Sequence, residues 1–171
     1  LETRVDTVIA STTDELAEAQ NEDGGWGWSP SSSSNVEITS YILFGLLQAQ
    51  DAGIFIDQAM LQRARGYLLA ALPSLEMLGE EWQYDQLAFQ YFALTESGLD
   101  DLVGLMEDLA GYKSQLSPYG QALLALALET QSPGNSQAQA LFSDLQSSAV
   151  RTATGVHWEN PQQCRCRMNS T

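Results

Sequence analysis

The feature that most restricts the folds open to this chain is a succession of helical stretches that alternate between charge-free and one-sided. Ile38 to Ala49 hold no charge on any face, so a helix formed there has to be covered all round. It is predicted to be an inner helix. After a stop at Asp51-Ala52-Gly53, Asp57 is placed to cap a helix whose Met60, Leu61, Ala64, Leu68 and Leu72 make one apolar stripe, with Gln62, Arg63 and Arg65 turned to water. That helix is predicted to be an outer one. The pair recurs: Leu87 to Leu94 is nearly charge-free, Gly98 stops it, and Asp100 is placed to cap a second one-sided helix built on Leu102, Val103, Leu105, Met106 and Leu109. A third hairpin begins at Ser117-Pro118, an N-cap with Pro at the first helical position. It runs through Ala122 to Leu128, breaks at Pro133-Gly134 and returns through Ala138, Leu141, Phe142, Leu145 and Ala149.

Upstream of these hairpins, Val5, Ile9, Leu16 and Ala19 among acidic residues predict a weakly amphipathic helix to about Gln20, followed by a turn at Asn21 to Gly25. Ser29 to Asn35 read as a solvated loop. Strand-like alternation is nearly absent, so the expected class is all-α. Helical-hairpin repeats of this kind suit an α/α toroid, because helices apolar on every side belong inside a second helical layer, whereas an open solenoid keeps a polar concave face. A plain helical bundle has the same periodicity.

Composition narrows the partners. With 171 residues, 44% of them apolar and 17% charged, the chain can bury a sizeable core and is not intrinsically disordered. Twenty-two acidic residues against seven basic ones give a net charge of −15, which repels phosphate backbones and anionic lipid. No nucleic acid partner and no membrane insertion are expected. The longest aliphatic run, Ala122 to Leu128, is far short of the roughly 20 residues that cross a bilayer. Within residues 66–150, Lys113 is the one basic group against eleven acids; this is a solvated acidic face, or a face on which a basic protease or neighbouring domain docks in a salt-sensitive way.

Candidate chemistry is sparse. Cys164 and Cys166 are too close for an unstrained disulfide. A zinc site with His157 lacks a fourth ligand and the usual Cys-x-x-Cys spacing. His157, beside Trp158 and Glu159, is read as a packed or capping imidazole, since no Ser or Cys partner can be placed within its reach. Trp26, Trp28, Trp82, Tyr84 and Trp158 are read as core and hairpin-end packing, with a ligand-binding aromatic cleft as the alternative. The chain opens at Leu1 without Met or a signal-like segment and stops at Thr171 in mid-pattern, which reads as a piece of something longer.

The stretch Gln20 to Trp28 carries Gln20, Asp23, Gly24, Gly25 and Trp26 in a spacing with a physical use: the Gln side chain can reach backbone groups, the glycines free the turn, and the indole covers a hairpin end. It resembles the Gln-Trp repeat of α/α-toroid proteins, which include terpenoid cyclases, protein prenyltransferase β-subunits and the thioester-containing domain of the alpha-2-macroglobulin and complement family. Gln20 to Trp28 followed by Glu37 to Gly53 is similar to the bacterial alpha-2-macroglobulin pattern. Leu116 to Ala127 is similar to the next inner helix of that domain, and Gly155 to Asn160 with Met168 to Thr171 to the segment leading into its last one. The resemblance covers nearly the whole chain in order.

The resemblance implies an incomplete α/α toroid in which residues 1–171 are one domain, a fragment of the thioester-containing type. It further implies a scaffold and trapping role in a bacterial broad-range protease inhibitor of the cell envelope, with other domains of the parent and the trapped proteases as partners. The family's Cys-x-Glu-Gln thioester motif is absent, and any such motif in the parent would lie upstream of Leu1. Complement members carry a transacylating His where this chain has Ser31 to Asn35. No catalytic, cofactor-binding or metal residue is therefore carried over, no cofactor is expected, and the chain is read as no enzyme. Gln20, Asp23, Gly24, Gly25 and Trp26 stand as a structural motif. Two alternatives remain: a fragment of a terpene-cyclase-like enzyme whose Asp-x-Asp-Asp acid motif lies elsewhere, and a thioester-less interaction scaffold. A toroid cut after three hairpins is expected to show an apolar edge and to self-associate.

Overall fold

Helix boundaries in the computed structural model, which describes residues 12–159, fall mostly where a side chain satisfies backbone groups that a helix end leaves open. A first helical stretch, α1, covers residues 12–19. Asn35 caps α2 (Val36–Asp51) by accepting from the Ile38 N–H, and Asp57 caps α3 (Gln58–Ala70) by accepting from Ala59. Then follow α4 (Glu81–Glu96), α5 (Val103–Ala110), α6 (Pro118–Gln131) and α7 (Ser136–Ser148). Short 3₁₀ turns lie at Leu75–Met77 and Lys113–Gln115. Ser117 caps α6 with Pro118 at its first turn, and Asn135 caps α7. The class is all-α. A small antiparallel hairpin, β1 (Val150–Thr152) with β2 (Gly155–His157), is the one departure from it among the described residues, pairing Arg151 with Val156. Neither strand has a buried residue, so no alternation announces it in the sequence.

The chain divides into two compact units, Leu1–Leu72 with Glu96–Leu99, and Pro73–Thr95 with Asp100–Thr171. In the first, α2 packs on α3. The stripe of α3 buries Met60, Leu61, Ala64 and Leu68, and α2 buries Thr39, Ser40, Leu43, Leu46 and Leu47. The expectation that α2 is covered all round is corrected: Glu37, Tyr41, Gly45 and Gln48 form an exposed stripe along one side. A charge-free face needs burial only over the part that other elements reach.

In the second unit α6 packs on α5 and α7, and α5 also touches α7. Two polar clamps align α4 with α6. Near their N-termini, the Asp85 carboxylate accepts from the Ser117 N–H at 2.9 Å, where a negative charge complements the helix dipole. Near their C-termini, the Gln131 amide donates to Thr95 Oγ1 at 3.0 Å. N-terminus beside N-terminus and C-terminus beside C-terminus make α4 and α6 parallel, the relation that consecutive first helices of repeated hairpins have. Of all the helices α4 is the most enclosed, with Tyr84, Leu87–Tyr91 and Ala93–Thr95 buried. In contrast α6 leaves Tyr119 and Leu126 about half exposed, so full coverage is corrected there too.

One cap differs from the sequence expectation. Asp100 does not cap α5; Leu102 occupies that position without a side-chain hydrogen bond, after Asp101 at φ 68°. The Leu102 N–H instead donates to Gln131 Oε1 at 3.1 Å. A residue 29 positions downstream supplies the cap, which no local signal reveals.

Gly120 is what allows α4 and α6 to meet. A Cβ there would fall inside van der Waals contact with Asp85 Oδ1 and only 3.0 Å from Leu116 Cδ2. Gly120→Ala is therefore expected to displace the Asp85 clamp and destabilise the fold by about 1–3 kcal/mol, read as a lowered urea midpoint with an unchanged m-value.

Candidate functional site

The residues singled out from the sequence meet at the turn that leads into α2. Gln20, just after α1, donates through Nε2 to the carbonyl of Gly24 at 2.8 Å and to that of Met60 on α3 at 3.0 Å. Its Oε1 accepts from Arg63 Nε at 2.9 Å and from Arg63 Nη2 as well. One amide thus joins the turn to α3 through both of its ends. Gly24 takes φ +91°, and a Cβ there would strike the Arg63 carbonyl; a side chain is excluded both by conformation and by space.

Asp23 closes the turn from outside. Its carboxylate accepts from Ser34 Oγ at 2.6 Å and from the Gly25 N–H at 3.0 Å. These bonds, the Ser34 hydroxyl foremost, hold its pKa below the ordinary value. Asn21 ties the same loop through Ser34 Oγ and the Ser32 carbonyl. The Ser29 to Asn35 stretch is thus held by hydrogen bonds to the turn, which its low complexity conceals.

Trp26 is 2% exposed. Its indole N–H donates to the Leu16 carbonyl at 2.8 Å, at the end of α1, and its backbone N–H donates to Thr39 Oγ1 at 2.9 Å. Thr39 on α2 is a partner that sequence reasoning passed over; a hydroxyl inside an otherwise apolar helix was the available signal. The five motif residues make a hydrogen-bonded joint among α1, α2 and α3, and no nucleophile or general base sits in it.

The other aromatic residues divide. Tyr84 is buried and stacks on Tyr112 with ring centroids 5.7 Å apart, whereas Trp28 and Trp82 are 76% and 62% exposed. Packing as the reading for Trp28 and Trp82 is corrected: Trp28 lies in the loop after the motif and Trp82 in the first turn of α4, and both lie outside the cores. Trp158 is half-exposed, with its indole N–H donating to the Leu145 carbonyl at 2.6 Å. With Pro118, Tyr119, Ala122, Leu145 and His157 it lines a mainly apolar cleft of about 500 Å³. His157 is exposed there, so the packed reading of its imidazole is corrected as well. Ser117 also lines this cleft, but its hydroxyl accepts from the Gly120 N–H as the α6 cap. Among the described residues no group of three or more His, Cys, Asp or Glu converges as a metal site, and no helix is long and apolar enough to cross a membrane. Cys164, Cys166 and the tail from Asn160 lie outside the described residues.

No protein-family model matches the sequence, and no curated protein matches it at the level of sequence. Solved structures do. The native conformation of Escherichia coli alpha-2-macroglobulin superposes over 79% of this chain with a TM-score of 0.68 at 15% identity. The chain is folded like part of a bacterial alpha-2-macroglobulin. A piece of the native E. coli alpha-2-macroglobulin running from domain MG7 to the C-terminus gives a TM-score of 0.67 at 15% identity over 79% of this chain and 22% of its own. Salmonella alpha-2-macroglobulin reacted with methylamine gives 0.66 at 17% identity over 82% of this chain and 10% of its own. The match takes in only 9% of the native E. coli alpha-2-macroglobulin chain, so the likeness is one of fold, to a segment of a much larger molecule.

Two measurements probe the joint. Gln20→Leu removes the side-chain donor that the carbonyls of Gly24 and Met60 share and is expected to cost about 1–3 kcal/mol, with Gly24→Ala at least as damaging; urea unfolding followed by tryptophan fluorescence reads both. Because the pKa of Asp23 is lowered in the folded chain, its charge contributes stability above the ordinary value of 3.8 and loses it as pH falls through the folded value. The difference in unfolding midpoint between wild type and Asp23→Asn is expected to shrink on acidification through that window.

Proposed function

We propose that this chain is a scaffold and trapping domain of a bacterial alpha-2-macroglobulin-like protease inhibitor, and is not itself an enzyme. The observation that carries the reading is the fold likeness over 79% of the chain to E. coli alpha-2-macroglobulin, supported by similar matches to the trypsin-activated E. coli form and to the methylamine-reacted Salmonella protein. On this reading residues 1–171 are one domain, an incomplete α/α toroid of the thioester-containing type. The Gln20-Asp23-Gly24-Gly25-Trp26 joint is its structural motif, and the domain works in the cell envelope.

The mechanism follows from what rigid helical hairpins do. A protease cleaves a bait segment elsewhere in the parent, the parent rearranges, and this domain moves as a preformed body. Rigidity matters because a reactive acyl group carried by such a domain has to stay dry until release. Enclosed helices such as α4 and side-chain clamps such as Gln131 and Asp85 give that rigidity. The exposed stripes on α2 and α6 are the faces that other parts of the parent cover.

The test uses the full-length parent. After incubation with trypsin, the complex is expected to retain activity on small amide substrates and to lose it on casein. Trypsin that digests casein unhindered beside the cleaved parent overturns the reading. Methylamine treatment then separates two forms of inhibitor: release of a titratable sulfhydryl marks a thioester in the parent, and no release marks a thioester-less one.

A further inference from the structure

A second cavity, about 410 Å³, opens in the unit that holds α4 to α7, between α4, α5 and the chain that leads into α4. Leu75, Leu105 and Tyr112 supply apolar and aromatic walls, Glu76 and Asp108 supply carboxylates, and Tyr91 of α4 lies against it. Tyr91 is 3% exposed. Its hydroxyl hydrogen-bonds to none of the described residues and keeps contact with solvent instead, so it is open to an incoming donor. Neither carboxylate forms an ion pair with a described residue. The one cation of residues 66–150, Lys113, is held by Asp144 at 2.6 Å instead.

Each class of occupant can be weighed against those walls. An anion would meet two carboxylates in a chain of net charge −15. Glu76 and Asp108 are exposed, and an apolar group seated here would take water from the phenol and from these carboxylates without replacing its hydrogen bonds. A cationic side chain on an aliphatic stem satisfies all of them: the stem lies along Leu75 and Leu105, the ring of Tyr112 offers a cation–π face, and Asp108, Glu76 and the Tyr91 oxygen accept its N–H groups. Burial, with the Asp108 charge behind it, pushes the Tyr91 pKa up to about 12. The phenol therefore stays neutral and keeps its lone pairs open to a donor.

We propose that this cavity receives a lysine or arginine side chain presented by a protein partner. The excess of acid steers such a partner toward it. The inference rests on Tyr91, Asp108 and Glu76 alone and holds whatever the parent protein does.

The test is titration of the ¹⁵N-labelled chain with Nα-acetyl-lysine methylamide, Nα-acetyl-arginine methylamide and, as the uncharged control, Nα-acetyl-citrulline methylamide. Saturable shifts at the amides of Leu75, Glu76, Leu105 and Asp108 with one or both cations, and none with citrulline, are expected; the tighter binder names the side chain. Asp108→Asn is expected to weaken binding about tenfold. Tyr91→Phe deletes only an unpartnered hydroxyl, so it is expected to leave the unfolding midpoint in place while weakening binding severalfold. Glu76→Gln, at an exposed position, serves as the charge variant if Asp108→Asn does not fold. The proposal is overturned by shifts that do not saturate, that map elsewhere or that citrulline reproduces. Binding that survives the Tyr91 variant and the charge variant undiminished overturns it as well.

Discussion

Enclosure of a helix whose middle carries no charge is the constraint on which the second unit is built, and α4 meets it most fully while α6, like α2, keeps an exposed side. From Leu87 to Thr95 every residue except Phe92 is buried, including Gln90 and Thr95. Enclosure creates a second requirement, because polar groups brought inside have to find partners there. Thr95 finds Gln131, whose other amide atom caps α5, and Asp85 finds the N-terminus of α6. These bonds set α4 and α6 side by side and in parallel. Gly120 then permits an approach that any side chain would block.

The joint around Trp26 solves a similar problem with different parts. A turn between helices exposes backbone N–H and carbonyl groups and an open helix end, and Gln20, Asp23 and the indole N–H each engage one of those groups. Gln20 reaches Met60 as well as Gly24, so the turn is welded to α3 and cannot move without it. The polar atoms of this motif engage backbone groups and the side chains of Ser34 and Arg63.

Outside these joints the surface is dominated by negative charge, and its most specific feature is a pocket. Most acidic side chains of the chain face open water, where they are solvated and weakly interacting. Asp108 and Glu76 are exposed as well, but they share a cavity with a phenol that has no partner among the described residues. Two carboxylates at one cavity attract a cation together more strongly than either does alone. A general acidic excess is thereby focused into one place of defined shape.

Much of this was legible in the residues themselves. The helix class, the stripes of α3 and α7, the caps Asp57 and Ser117 and the Gln20 to Trp26 turn depend on neighbours within a few positions, and local chemistry is what a sequence displays. The alternation of apolar and one-sided segments marked three inner helices, of which α4 alone is enclosed as expected while α2 and α6 keep exposed sides. Tertiary structure alone decided that Gln131 rather than Asp100 would cap α5, that Thr39 would receive Trp26, that Trp28 and Trp82 would stay outside, and that Tyr91 would open onto two carboxylates. Those outcomes join groups from separate elements or turn on what other segments cover, and whether such atoms meet depends on how helices pack. No local spacing encodes that distance.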